Sequence, residues 1–321
     1  METIRKCAPT KAILIGEHFV VHGEKAIAMP AKPLNRAILQ EKGKESSLRI
    51  IGKTGEAIFE AGGKTSGQKV LHSFGQIYFA ILKRKGIKQH KGIAITLKYS
   101  GAPKGMGNSA SLACAAAKAL CGYFKIKPTN AELFSLVQLS EKIAHSNPSG
   151  IDAKTIVEGK AQVFQRGKGK KPARFQAIRI NLPKECSFLA INSAKNKPPA
   201  KTSLLVEKFS RLVKSAEGKK ATAEYRRIFT SFLREIKKKS PNPKTLGELM
   251  NENHSLLRAG GVSSASIEKA IAILARQPSV YGAKLTGAGG EGGAVLALAS
   301  KKEEGNIRRA LAKSGLKSYH L

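Results

Sequence analysis

GAPKGMGNSASLACAAAKAL, residues 101–120, decides how the chain is read. Glycine and proline crowd its first half, and small helix-forming residues fill its second. Such a loop lets backbone N–H groups come close to a ligand. A helix N-terminus behind it adds a partial positive charge, and the two together make a seat for an anion. A glycine-rich turn before a buried alanine-rich helix would have the same composition, because short glycine patterns are weak on their own. The segment just before it, GIAITLKYS, alternates apolar and polar residues as a strand does. The order is therefore strand, glycine-rich loop, helix, which is the context an anion seat requires.

Working outward, residues 4–60 read as short strands (IRKCAP, AILIGEHFVV, AIAMP, NRAILQ, SLRIIG, EAIFEA) parted by Gly, Lys and Pro turns. A helix is expected over about 67–85 and another from Asn130 to His145 with Thr129 as its N-cap. Strands near 161–165, 174–180 and 187–192 follow. Beyond Lys201 the pattern turns to amphipathic helices broken by Gly, Pro241 and Pro243, then two strands around a second glycine cluster and a last helix over about 303–314. This is an α+β chain in two domains, 1–185 and 186–321, joined near the lysine- and proline-rich NSAKNKPPAK.

Composition narrows the class. At 321 residues and 41% apolar content the chain is globular, with no apolar run long enough to span a bilayer and no signal-peptide layout at its start. A cytoplasmic protein is expected. Cys7, Cys114, Cys121 and Cys186 are scattered, which suggests buried reduced thiols and neither a zinc site nor a disulfide framework. The formal charge of +35 would attract any polyanion. Single-strand binders interleave basic residues with stacking aromatics, whereas this chain has no Trp and 6% aromatics, so no specific nucleic acid is expected. A generally basic proteome would give the same charge. GKTG at 52–55 and GGKTS at 62–66 end like a phosphate-binding loop, but Ser47 and Ile58 stand where its first glycine belongs, and both read as hairpin loops. His18 and His22 have zinc-helix spacing without the intervening Glu.

Three separated pieces remain: APTKAILIGEHFVVHGEKAIA at 8–28, KGMGNSAS at 104–111 and KLTGAGGEGG at 284–293. Together they resemble the three signature motifs of the GHMP kinases, in the right order and across nearly the whole chain. HSNPSGIDAKT at 145–155, with Lys11 and Gly16-Glu17-His18, is similar to the mevalonate kinase branch. The resemblance implies the two-domain GHMP fold, α+β, with a ribosomal protein S5 domain 2-like N-terminal domain, a ferredoxin-like C-terminal domain and the active site in the cleft between them. It implies ATP-dependent phosphorylation of the 5-hydroxyl of mevalonate, magnesium as cofactor, no membrane partner, and often a homodimer.

The resemblance also assigns roles. Pro103, Lys104, Gly105, Met106, Gly107, Asn108, Ser109 and Ala110 would cradle ATP, with Ser109 and Glu141 on magnesium. Asp152 would be the general base and Lys11 would stabilise developing charge, and which of them dominates activation of the hydroxyl stays open. Glu17, His18, Ser149, Gly150, Thr202, Gly287 and Ala288 would join Lys11 and Asp152 around the substrate. Gly287, Gly289 and Gly290 would form a third loop that holds the first two. The chain departs from the family pattern at Thr10, Asn108, Glu291 and Gly293, and a carboxylate at Glu291 would be repelled by phosphates unless it points away or meets a lysine. Two rivals remain: another GHMP activity, such as a mevalonate 3-kinase or phosphomevalonate kinase, and a polyanion-binding protein that kept the fold and lost catalysis.

Overall fold

The computed structural model describes residues 3–43, 45–60, 62–145, 148–167, 172–193 and 202–321. The expected joining segment at 194–201, and Ser146 and Asn147 of HSNPSGIDAKT, lie outside the described residues. Two compact units alternate along the chain: Met1–Thr10, Pro33–Gly101 and Gly107–Gly159 make the first, and Lys11–Lys32, Ala102–Met106 and Lys160–Leu321 the second. Strands β1 (Thr3–Ile15) and β2 (Lys25–Glu41) each run on from one unit into the other.

In the first unit β3 (Ser47–Ile51), β4 (Glu56–Glu60), β5 (Thr65–Gly67) and β6 (Ile93–Lys98) join the end of β2 in the order β5-β4-β3-β6-β2. All these neighbours are antiparallel except β3 and β6. The period-two pattern sends Leu48, Ile50, Ala57 and Phe59 inward. Both lysine-bearing decoys are hairpin connections, as expected: 52–55 joins β3 to β4, and 62–64 precedes β5. Four helices complete the unit, α1 (His72–Lys85), α2 (Asn108–Tyr123), α3 (Asn130–His145) and α4 (Ile151–Glu158). In α2 the buried side chains Ala113, Cys114, Ala116 and Ala117 are small, which lets α1, α3 and α4 all pack on it. Helix α3 starts with the expected cap: Glu132 N donates to Thr129 Oγ1 at 3.2 Å and Thr129 N to Glu132 Oε2 at 2.7 Å.

In the second unit β7 (Ala161–Gln165) pairs with the start of β2 and with β8 (Arg174–Ile178). A four-stranded antiparallel sheet follows, ordered β10 (Val280–Thr286), β11 (Ala294–Ser300), β9 (Cys186–Asn192), β12 (Lys317–His320). Between β9 and β10 lie α5 (Thr202–Lys214), α6 (Ala216–Lys237), α7 (Pro243–Ala259) and α8 (Ala265–Ala275), and α9 (Glu304–Lys313) precedes β12. Reading the helical run as one crossover, this is a β-α-β-β-α-β unit, the ferredoxin-like arrangement expected of the C-terminal half. Ser215, Asn242 and Ser264 cap α6, α7 and α8, with Pro243 at the first turn of α7.

Four expectations are corrected. AILIGEHFVV is not one strand: β1 ends at Ile15, the chain turns at Gly16 (φ +109), and Phe19–His22 is a 3-10 helix. A Cβ at Gly16 would stand 2.6 Å from Ala26 Cα, so only glycine makes this turn. The helix expected from 67 begins at His72, after β5 and a 3-10 turn at Lys69–Leu71. Strand β12 was not foreseen. Finally, Cys7 is exposed on β1, whereas the other three thiols are buried.

Candidate active site

In the second unit, pieces of all three motifs meet. Lys11, 3% exposed on β1, donates from its backbone N to Met106 O and from Nζ to Gly105 O, each at 2.9 Å. Gly287 (φ +80) lies against the same glycine: a Cβ there would be 2.9 Å from Gly105 Cα. The third loop therefore buttresses the base of the second, as expected, and both positions need glycine. Gly289 is likewise fixed, since a Cβ would sit 2.2 Å from Val262 O.

His18 and Glu17 follow the turn at Gly16. His18 has φ 60 and ψ −48, a conformation a non-glycine residue seldom adopts, and such strain collects at functional positions. Its ring packs on Phe209 at 5.1 Å, while Phe19 stacks on Tyr225 at 4.1 Å. Burial pushes the His18 pKa down to about 4, so the ring is neutral at pH 7. Nε2 then carries the proton and donates to Ala288 O at 2.9 Å. This leaves Nδ1 as an acceptor, buried and without a hydrogen-bond partner among the described residues, and Glu17 Oε2 is in the same state. The other Glu17 oxygen pairs with Lys284, and both side chains are 0% exposed. Burial pushes the Glu17 carboxyl up and the Lys284 ammonium down, and the opposite charge of each partner resists that push. Lys284 also donates to Leu285 O at 2.7 Å.

Lys284 is the residue sequence reasoning left without a role. It opens KLTGAGGEGG, inside a strand where an apolar residue would be ordinary, and that misfit was the available signal. Thr202, the first residue of α5, is exposed, and Phe209 farther along the same helix is the residue that packs on His18. Glu291 lines a cleft together with Ser193, Ser266 and Lys269.

The first unit carries the remaining candidates. Gly107 (φ +65) is the residue before α2, and Asn108, Ser109 and Ala110 form that helix's first turn with their N–H groups toward its N-terminal end. Asn108 is accommodated by its own partners: it accepts from Asn35 Nδ2 at 3.3 Å and donates to the Tyr99 hydroxyl at 3.4 Å. Thr10 is tolerated because β1 holds it at an ordinary negative φ, where glycine is not needed. Glu141 is buried on α3, with His145 Nε2 3.8 Å from its carboxylate. Gly150 (φ +83) is the N-cap position of α4, so Asp152 is not the cap and stands in the first turn beyond it. Ser149 Oγ accepts from Ile151 N at 3.4 Å and steadies that start.

The donor set suits magnesium. Ser109 and Glu141 offer hard oxygen atoms on two helices that pack together, and magnesium takes one or two such ligands while keeping its waters. Among the described residues no group of three His, Cys, Asp or Glu side chains gathers in the way a cage-bound metal would use.

Comparisons with known proteins agree with this geometry. Residues 73–160 match the family described as GHMP kinases N terminal domain, and residues 232–317 match GHMP kinases C terminal. A mevalonate kinase of Aeropyrum pernix is 31% identical over 318 residues, covering 96% of this chain and 91% of that protein. One of Thermococcus sibiricus is 29% identical over 320 residues, covering 92% of this chain and 89% of that protein. The crystal structure of the Methanococcus jannaschii mevalonate kinase has the same fold, with a TM-score of 0.82 at 24% identity over 99% of this chain and 98% of that one.

Proposed function

The chain belongs to the mevalonate kinase family of the GHMP kinases, and on that premise we propose that it transfers the γ-phosphoryl group of ATP to the 5-hydroxyl of mevalonate. The observation that carries this reading is the meeting of Lys11, Gly105 and Gly287, one from each signature motif. Phosphoryl transfer asks a protein for positioning and for charge placed where the transition state needs it. The N–H groups that open α2 and the loop 103–107 bind and orient the phosphates. Lys11 offsets the negative charge that grows on the transferred group and on the attacking oxygen. Asp152 accepts the proton of the hydroxyl as it attacks. Magnesium, held by Ser109 and Glu141, would offset phosphate charge when bound.

Glu17 Oε2 and His18 Nδ1 are acceptors that await donors, and the hydroxyl groups of mevalonate are donors of the right kind. Ser149, Gly150, Thr202 and Ala288 complete the substrate side of the proposal. The 5-position is a primary alcohol and the 3-position a tertiary one, so the 5-oxygen is the less hindered nucleophile. We place the enzyme in the cytoplasm with magnesium as its cofactor, and light scattering checks whether it forms the homodimer that the family often does. Phosphorus NMR of the product tests the reaction: a 5-phosphate couples to two protons, and a 3-phosphate would couple to none and overturn the assignment. Faster turnover of phosphomevalonate than of mevalonate would overturn it as well.

A further inference from the structure

Strand β10 is the edge of its sheet, so every second N–H along its outer side has no strand to bond. Two side chains of α7 fill that place. Asn251 Oδ1 accepts from Ala283 N at 2.9 Å, and His254 Nδ1 accepts from Leu285 N at 3.3 Å. An accepting ring nitrogen carries no proton, so the His254 proton is on Nε2, which donates to Glu268 Oε1 at 3.0 Å. Glu268 is itself fixed, by Ser263 Oγ at 2.5 Å and by Arg258 at 3.1 Å.

The turn that supplies Ser263 also grips the far end of the third glycine loop. Gly290 N donates to Val262 O at 2.8 Å, and Ser264 Oγ donates to Gly290 O at 3.1 Å. Leu285 and Gly290 are thus tied to one short segment, residues 262–268, the first through His254 and the second directly. Between these two ties lie Gly287, packed on Gly105, and Ala288, whose carbonyl accepts the hydrogen bond from His18 Nε2.

We propose that the Glu268–His254 pair is a positioning device for the substrate side of the site: it fixes the height of residues 286–289, and through the Ala288 carbonyl it sets the orientation of the His18 ring. The proposal rests on the kinase reading above. Neither residue touches substrate. Their effect should therefore fall on mevalonate affinity through His18, with less effect on ATP.

The test uses the full chain with His254→Leu, His254→Gln and Glu268→Gln. His254→Leu keeps the bulk and removes the acceptor, leaving a buried N–H unpaired. KM for mevalonate should rise roughly tenfold, KM for ATP should change less, and the Leu285 amide should exchange faster. His254→Gln can accept the same N–H through its side-chain carbonyl and should restore most of the affinity. Unchanged KM in a folded His254→Leu, or equal damage from Leu and Gln, overturns the proposal. If His254→Leu does not fold, Glu268→Gln decides. A raised KM for mevalonate at near-native Tm supports positioning, whereas a lowered Tm with unchanged KM assigns the pair a structural role only. A wild-type chain without mevalonate kinase activity would instead sink the kinase reading, and Leu285 exchange would then test the tie by itself.

Discussion

Asp152 is the second residue of a short helix, two past the left-handed Gly150, a placement that fixes its backbone while leaving the side chain partly accessible. Asp152→Asn keeps the size and removes the basicity. It should lower kcat by at least ~10² with ATP binding retained, the low end for loss of a positioned acid or base. Near wild-type turnover would take Asp152 out of the mechanism. His18 and His254 make a different statement, about stability. Burial holds both near pKa 4, against 6.5 for a free imidazole. Between those values the unfolded chain binds protons that the folded chain refuses, so unfolding takes up to two protons there. Stability from this source is full above about pH 6.5 and is lost as pH falls toward about 4. Melting curves across that window should show a falling Tm, and replacing His254 with Gln should flatten the dependence. A Tm that does not change from neutral pH down to about 4 would refute it.

Among the elements, the third glycine loop has the least freedom. Gly287→Ala adds a methyl 2.9 Å from Gly105 Cα at a φ of +80, so it must displace the carbonyl that Lys11 holds. The expected result is a folded protein with turnover reduced at least ~10², because in-line geometry is sensitive to shifts of an ångström. Retained turnover would show that the contact is not needed. The loop and the strand–loop–helix at 92–123 were legible in the sequence because glycine, alternation and caps act locally. Other features depend on distant partners. HFVV has the aromatic and β-branched composition of a strand, but burial of Phe19 against Tyr225 and Phe209 fixes it as a 3-10 turn. Four residues, KSYH, become β12 only by pairing with β9. The roles of Lys284 and His254 come from Glu17, 267 residues away from Lys284, and from the outer edge of β10, neither of which a local pattern encodes.

For the whole molecule, apolar side chains gather into two clusters, one per compact unit, and the charge lies mostly outside them. Among the described residues no helix is long and apolar enough to cross a membrane. With a formal charge of +35, binding of ATP should weaken steadily as salt is raised, since screening shortens the reach of the positive field. Association with nucleic acid should weaken likewise, show little sequence preference and leave kinase turnover unchanged at physiological salt. Binding titrations at several salt concentrations, with mixed and defined sequences, check both statements. Selective binding that survives physiological salt would favour a polyanion-binding role instead.

The Glu17–Lys284 pair has a consequence for temperature. Two fully buried charges are held at the cost of their lost hydration, and that cost shrinks on heating because the hydration of ions is entropically unfavourable. The pair therefore fits its surroundings better in a hot solution than in a cold one. If Glu17 and His18 hold the substrate as proposed, affinity for mevalonate should fall in the cold before the fold fails.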